Sequence, residues 1–229
     1  MNILVTGGAG FIGSHLTDAL IEEGHHVIVV DNLRTGSRKN LNSQAVFYEE
    51  DICHADALER IFAKENIQIV FHEAAQTLVP YSMEYPKEDA QLNIMGIINV
   101  LDMCRKYDVK KIIFSSSAAV YGDNVHVPLK EDQPLMPTSF YGLTKVTAEK
   151  YIQMYQKTFG LSYAILRYSN VYGERQGRHG EGGVVYVFSK ALAQGQDLTI
   201  YGDGEQSRDF VYVKDVVRAN IKAMDAAVP

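Results

Sequence analysis

Thr6-Gly7-Gly8-Ala9-Gly10-Phe11-Ile12-Gly13 stands between a short β-rich run, Asn2 to Thr6, and a helical stretch, Phe11 to Glu23, that stops at Gly24. Its three spaced glycines have separate tasks. Gly7 permits a tight turn, Gly10 lets backbone approach a pyrophosphate, and Gly13 lets the helix pack close to the strand. Free N–H groups where the helix opens, around Phe11 and Ile12, bind phosphates. A glycine string alone is a weak signal, and the bland reading is a turn without ligand. Here the string lies between strand and helix, and the second strand, His26 to Asp31, ends on an acid 18 residues past Gly13. Asp31, with Asn32 beside it, suits adenosine ribose hydroxyls and repels a 2′-phosphate, which favours NAD over NADP. Arg34 keeps NADP open.

The same alternation continues along the chain. Val46 to Glu50 reads as strand, Ala55 to Lys64 as helix and Ile67 to His72 as strand. A long helix is expected over Lys87 to Tyr107, a strand over Lys111 to Ser115, a helix over Ser139 to Phe159 and a strand over Ser162 to Arg167. Continuous apolar strands separated by helices predict a parallel sheet covered on both faces. Right-handed crossovers make it an α/β doubly wound, Rossmann-like sheet. After Val171 the texture turns to loops, with five glycines between 173 and 183 and a second loop-rich run from Tyr201 to Asp209. A helix follows from Asp215 to Asp225.

Composition bounds the alternatives. The chain has 229 residues, 46% of them hydrophobic, and a formal net charge of −6, which argues against a non-specific nucleic-acid binder. No apolar run approaches the ~20 residues of a membrane span. The two cysteines, Cys53 and Cys104, lack Cys-x-x-Cys spacing and fit a reducing cytoplasm. His25-His26 reads as a solvated turn, and His54, His126 and His179 show no metal-ligand spacing, so no metal is assigned.

Tyr141-Gly-Leu-Thr-Lys145 falls on a predicted helix, where an i, i+4 pair projects from one face. A phenol with an ordinary pKa near 10 is a poor base at neutral pH. A neighbouring lysine cation and a positive nicotinamide ring favour phenolate, and lowering the pKa by about 3 units corresponds to ~4 kcal/mol. The alternative is an exposed helix pair. Ser115-Ser116-Ser117 ends the fifth strand, at the sheet edge where open α/β sites lie.

The Gly-x-x-Gly-x-x-Gly spacing resembles the short-chain dehydrogenase/reductase superfamily, and other positions resemble its extended branch, the NAD-dependent nucleotide-sugar epimerases and dehydratases. Asp51-Ile52 looks like that branch's adenine-contacting pair. His72-Glu73-Ala74-Ala75 resembles its His-x-Ala-Ala turn beside the cofactor, with Glu73 departing from the usual apolar residue. Asn93 resembles its helix asparagine. Counted back from Val120-Tyr121-Gly122, the catalytic Ser/Thr falls on Ser117. Arg167 to Gly173 and Tyr201 to Phe210 resemble the nucleotide-sugar lobe, so Asn170 and Arg208 are implied to bind the diphosphate. Gly183-Val184-Val185 either lines the base pocket or is a buried helix start.

The resemblance implies Ser117, Tyr141 and Lys145 as catalytic. It implies Gly7, Gly10, Phe11, Ile12, Gly13, Asp31, Asn32, Asp51, Ile52, Ala74, Ala75, Asn93, Ser115, Tyr141 and Lys145 as NAD-binding. The expected reaction is epimerisation of a UDP-linked hexose through a transient 4-keto sugar. Ala118 and Ala119 stand where dehydratases of the branch carry an Asp-Glu pair, and related decarboxylases an acid at the second position. Methyl groups do no acid–base work, so those outcomes are disfavoured. The expected organisation is an NAD-binding domain over 1–168 and a partial substrate lobe over 169–229 lacking a C-terminal segment, with a homodimer possible. Two alternatives stay open: an epimerase of a UDP-uronic acid or another nucleotide-sugar oxidoreductase, and an NAD-binding module with little turnover.

Overall fold

The computed structural model describes residues 1–177 and 183–226, so His179 lies outside the described residues. The first half runs β1 (Asn2–Thr6), α1 (Phe11–Glu22), β2 (His26–Val30), β3 (Val46–Tyr48), α2 (Ala55–Glu65) and β4 (Ile69–His72). It continues through α3 (Val79–Glu84), α4 (Pro86–Ala90), α5 (Gly96–Lys106), β5 (Lys111–Ser117), α6 (Phe140–Phe159) and β6 (Ser162–Tyr168). The remainder holds β7 (Asn170–Tyr172), α7 (Val184–Ala193), β8 (Phe210–Tyr212) and α8 (Val213–Asp225).

Six parallel strands form one sheet in the order β3-β2-β1-β4-β5-β6. The strands are apolar at successive positions because both faces are covered. Leu4, Ile28, Val70 and Ile112 face α2, α5 and α6. Ile3, Val5, Val29 and Phe71 face α1 and α8. Leu16 and Leu20 of α1 are fully buried, each contributing roughly 1.5–3 kcal/mol. Chain order reverses between β1 and β4, which opens the crevice used by ligands in such sheets.

The helix expected over Lys87 to Tyr107 is instead interrupted. It begins at Pro86, where a proline suits the first helical turn, and widens into a π-helical turn over Gln91–Met95 before α5. The texture after Val171 hides α7 and a short parallel pair, β7 with β8. α8 packs on the main sheet through Val217, Ala223 and Met224. Lys111 of β5 holds its C-terminal end, Nζ donating to the carbonyls of Ala223 at 2.5 Å and Ala226 at 2.6 Å. A buried cation there complements the negative end of the helix.

Candidate active site

The glycine turn sits at the β1–β4 crevice. Gly7 has φ +72°, and a Cβ on it would lie 2.7 Å from the backbone nitrogen of Ala74. A Cβ on Gly13 would lie 2.3 Å from the Gly7 carbonyl oxygen. Both positions therefore need glycine for reasons of space, as the spacing predicts. α1 begins after Gly10 with no side-chain cap, which leaves its first N–H groups for an anion. Asp31 pins the turn to β2, Oδ2 accepting from the Ala9 N–H at 3.0 Å and Oδ1 from the Leu33 N–H at 2.7 Å.

A cavity of about 480 Å³ opens over this turn. Gly7, Gly10, Phe11, Ile12, Gly13, Asp31, Asn32, Asp51, Ile52, Ala74 and Ala75 all line it. Asn32 Nδ2 donates to Asp51 Oδ2 at 2.7 Å, which ties the ends of β2 and β3 together at the rim. Ile52 packs onto Gly96, where a Cβ would lie 2.5 Å from Ile52 Cδ1. The residues fit a dinucleotide: an elongated phosphate-ready cradle, built where side chains would intrude, with a carboxylate at one end. The wall also uses Gln76, Leu78, Tyr81, Val171 and Gln176, which the sequence reading missed. No local pattern marks them, since they lie on loops, on short α3 and in the second small sheet.

Asp31 carries a prediction here. Asp31→Ala should weaken NAD far more than NADP, because only the 2′-phosphate is repelled by the acid. Calorimetry with both nucleotides checks this; equal losses would refute the ribose role. Arg34 lines the same cavity, with its guanidinium donating to the Tyr81 hydroxyl at 2.7 Å and 3.8 Å from Glu88.

The catalytic candidates converge at the carboxyl end of β5. Ser139 caps α6, its Oγ accepting from the Gly142 N–H at 3.1 Å. Gly142 lies against the Ala119 carbonyl, where a Cβ would come within 2.6 Å. Tyr141 therefore lies beside Ser117, whose side chain hydrogen-bonds its hydroxyl. Tyr141 is 9% exposed and Lys145 5%. Burial pushes the Tyr141 phenol up to about 12, opposed by the Ser117 hydrogen bond and reinforced by Asp89. Burial pushes Lys145 down to about 8. Lys145 Nζ donates to the Ser115 carbonyl at 2.7 Å. The lysine thus reaches the site, but the phenol is not activated by these protein groups alone; a further positive charge at the site is required.

Four of the expected cofactor ligands are placed otherwise than along the cavity. Ser115 is buried, with its Oγ 3.0 Å from the Tyr168 hydroxyl. Neither Lys145 nor Tyr141 lines the cavity. Asn93, on the π-helical turn, binds the cavity loop: Oδ1 accepts from the Gln76 N–H at 2.9 Å, and Nδ2 donates to the Gln76 carbonyl at 2.9 Å. Asp89 completes this cluster, accepting from Gln76 at 2.7 Å and Asn93 at 3.1 Å. A π turn re-aims one side chain in an otherwise regular helix, and such turns occur at functional sites.

The later segment brings Asn170 and the loop of Arg208 together. Asn170 opposes Phe210 in the small sheet, and its Nδ2 donates to the Asp209 carbonyl at 3.0 Å. Arg208 is exposed, donating to its neighbour Ser207 at 2.7 Å. Gly183 caps α7 and Val184 is half exposed.

The family profile described as NAD dependent epimerase/dehydratase family matches residues 3–229. UDP-glucose 4-epimerase of Mycolicibacterium smegmatis is 41% identical over 229 residues, 97% of this chain and 73% of that protein. A crystal structure of UDP-glucose 4-epimerase from Thermotoga maritima with UDP-glucose superposes with a TM-score of 0.96 at 51% identity, over 98% of this chain and 74% of that one. The Thermus thermophilus UDP-glucose 4-epimerase in complex with NAD superposes with a TM-score of 0.94 at 40% identity, over 99% of this chain and 75% of that one.

Proposed function

The chain belongs to the NAD dependent epimerase/dehydratase family, and from that premise we propose that it epimerises a nucleotide sugar at C4, a UDP-linked hexose, with NAD as resident cofactor. The carrying observation is the juxtaposition of Ser117, Tyr141 and Lys145 at the carboxyl end of β5, the same edge of the sheet that holds the glycine-turn cavity. Its likeness to UDP-glucose 4-epimerases over nearly its whole length supports the substrate class.

NAD would be held by the Gly7–Gly13 turn, Asp31 and the 51–52 and 74–75 segments, and would supply a positive ring and a carrier that accepts the C4 hydride and gives it back. Tyr141 takes the proton of the 4-hydroxyl through its phenol oxygen. Ser117 orients the sugar oxygen beside that phenol. Lys145 contributes positive charge from below, fixed by the Ser115 carbonyl. After the 4-keto sugar turns over, Tyr141 returns the proton and the opposite stereoisomer leaves. Asn170 and Arg208 receive the diphosphate; a guanidinium suits two phosphate oxygens at once. The 1–168 segment is the cofactor part and 169–229 supplies the substrate side.

No acid follows Ser117, since Ala118 and Ala119 form the next turn. The product is therefore expected to have the mass of the substrate. Incubation with UDP-glucose, UDP-galactose and their uronic acids, followed by mass spectrometry and chromatography, tests this. Interconversion of the two hexoses supports the reading. Loss of water or carbon dioxide overturns it, and turnover of the uronic acids alone moves the assignment to the other epimerase class. Among the described residues no helix is long and apolar enough to cross a membrane. The outer side of α6 exposes Leu143, Tyr151 and Met154. That surface suits a second copy of the chain, the homodimer included in this reading.

A further inference from the structure

Glu73, in the His72-Glu73-Ala74-Ala75 turn, lines the cavity with Ala74 and Ala75 and is the one acid of that turn. Its backbone N–H donates to the Thr6 carbonyl at 3.1 Å, which holds the turn on β1. Glu73 follows His72, which pairs with Phe114 across β4 and β5, so it lies beside Ser115, and its Oε1 is buried with no hydrogen-bond partner. Ser115 Oγ lies 3.0 Å from the Tyr168 hydroxyl, and Asn220 Nδ2 donates to that hydroxyl at 2.6 Å. A chain of polar groups thus runs from α8 through β6 to Ser115 of β5, the strand neighbour of Glu73. Lys145 meets it at the same serine, donating to the Ser115 carbonyl at 2.7 Å.

Three carboxylates act on Lys145: Glu73, Asp89 and Glu149, with Glu73 the strongest. Asp89 is committed to Gln76, Asn93 and Thr144. Glu149 is committed to Arg167 and Ser116. Of the three, Glu73 retains an unbonded oxygen. A buried acceptor in that state costs stability unless a charge or proton compensates it.

We propose that Glu73 is a positioning residue for the catalytic lysine: its carboxylate, buried beside Ser115, holds Lys145 in the charged form. This rests on the reading of Tyr141 and Lys145 given above. Burial pushes Glu73 up to about 7, with Ser115 and Lys145 pulling it back. Burial pushes Lys145 down to about 8, with Glu73 first among the carboxylates that oppose this. Besides Asp89 and Glu149, the titratable groups facing the pair are His72, which burial pushes down to about 3, and Tyr141 and Tyr168, which burial pushes up. The sign follows. Above the Glu73 pKa its charge supports the ammonium, and Glu73→Gln removes that support, so Lys145 loses its proton at lower pH. Below it Glu73 is itself protonated, and the glutamine is its mimic.

The ratio of Glu73→Gln to parent kcat/KM is expected to lie near one at about pH 6 and to fall about tenfold by about pH 8.5, the effect of a one-unit shift in Lys145. A ratio equally depressed at every pH indicates a merely structural role and overturns the proposal, as does a ratio of one throughout. Carbon-13 NMR of the lysine ε-methylenes in the full chain, assigned with Lys145→Met, reads the lysine directly. Its midpoint is expected to fall by about one unit in Glu73→Gln, and to be restored in Glu73→Asp. An unmoved midpoint overturns the proposal whether or not the chain turns over a UDP-sugar. If no nucleotide sugar is turned over while the midpoint moves, the proposed reaction fails and the Glu73–Lys145 coupling stands.

Discussion

Tyr141→Phe is expected to lower turnover of the UDP-hexose by roughly 10²–10⁴-fold, the range supplied by a positioned general acid–base group. The substitution keeps the ring, which is nearly buried on α6, and deletes the hydroxyl that meets Ser117. Folding should survive, because the Tyr141 N–H bond to Ser82 Oγ at 3.1 Å involves only the tyrosine's backbone. NAD affinity should stay near that of the parent, since the phenol lies beyond the cavity lined by the glycine turn. The check combines steady-state kinetics with NAD calorimetry and a thermal melt. Activity within a few-fold of the parent removes Tyr141 from the role of base. Burial holds the phenol at about 12 in the protein alone, so the base is expected to work only once cofactor charge and Lys145 act together.

Gly13→Ala is the second large effect. Its methyl would lie 2.3 Å from the Gly7 carbonyl oxygen and 3.0 Å from Gly8 Cα, all backbone of the phosphate-binding turn. No rotamer change relieves such contacts, so either α1 moves away from β1 or the turn opens. Overpacking of this kind costs typically 1–3 kcal/mol, occasionally more. In a chain of this size each kcal/mol lowers Tm by roughly 2–4 °C. The displaced N–H groups should also lose the pyrophosphate, so NAD binding is expected to fall by at least about 100-fold, a loss of ~2.7 kcal/mol. Gly24→Ala serves as the control. A Cβ there meets nothing within 4 Å, and only its φ of +81° costs anything; roughly 1 kcal/mol with NAD affinity intact is expected. Equal losses of NAD affinity in both variants would show that the turn tolerates a side chain at 13.

The candidate pair, Tyr141 and Lys145, was legible because its two members lie about one helical turn apart, so helix geometry alone puts them on one face. The serine was legible only as a run, and the fold distinguishes its members. Ser115 donates to the Tyr168 hydroxyl at 3.0 Å, Ser116 donates to Glu149 at 2.6 Å, and Ser117 faces Tyr141. Alternation along β5 sends neighbours to opposite faces, and what waits on each face comes from other parts of the chain. α3 was not legible, since six residues with a proline in the first turn show no helical period. α7 escaped because its apolar start, Val184-Val185-Tyr186-Val187, follows a glycine-rich run and is short of charge.

By itself the sequence determined the backbone requirements: strands buried on both faces, the glycine turn between β1 and α1, Asp31 at the end of β2 and the i, i+4 spacing of Tyr141 and Lys145. Each is a local demand, of φ, of space or of period, satisfied within about one strand or helix. The tertiary structure alone decided what each polar side chain faces. Asn93 was expected at the cofactor and instead binds the Gln76 backbone that shapes the cavity wall. Glu73 stood out only as an odd residue until folding brought it to Lys145, 72 positions later in the chain. Charge states inside the sheet depend on burial and on partners distant in sequence, and neither is written into the spacing of neighbouring residues.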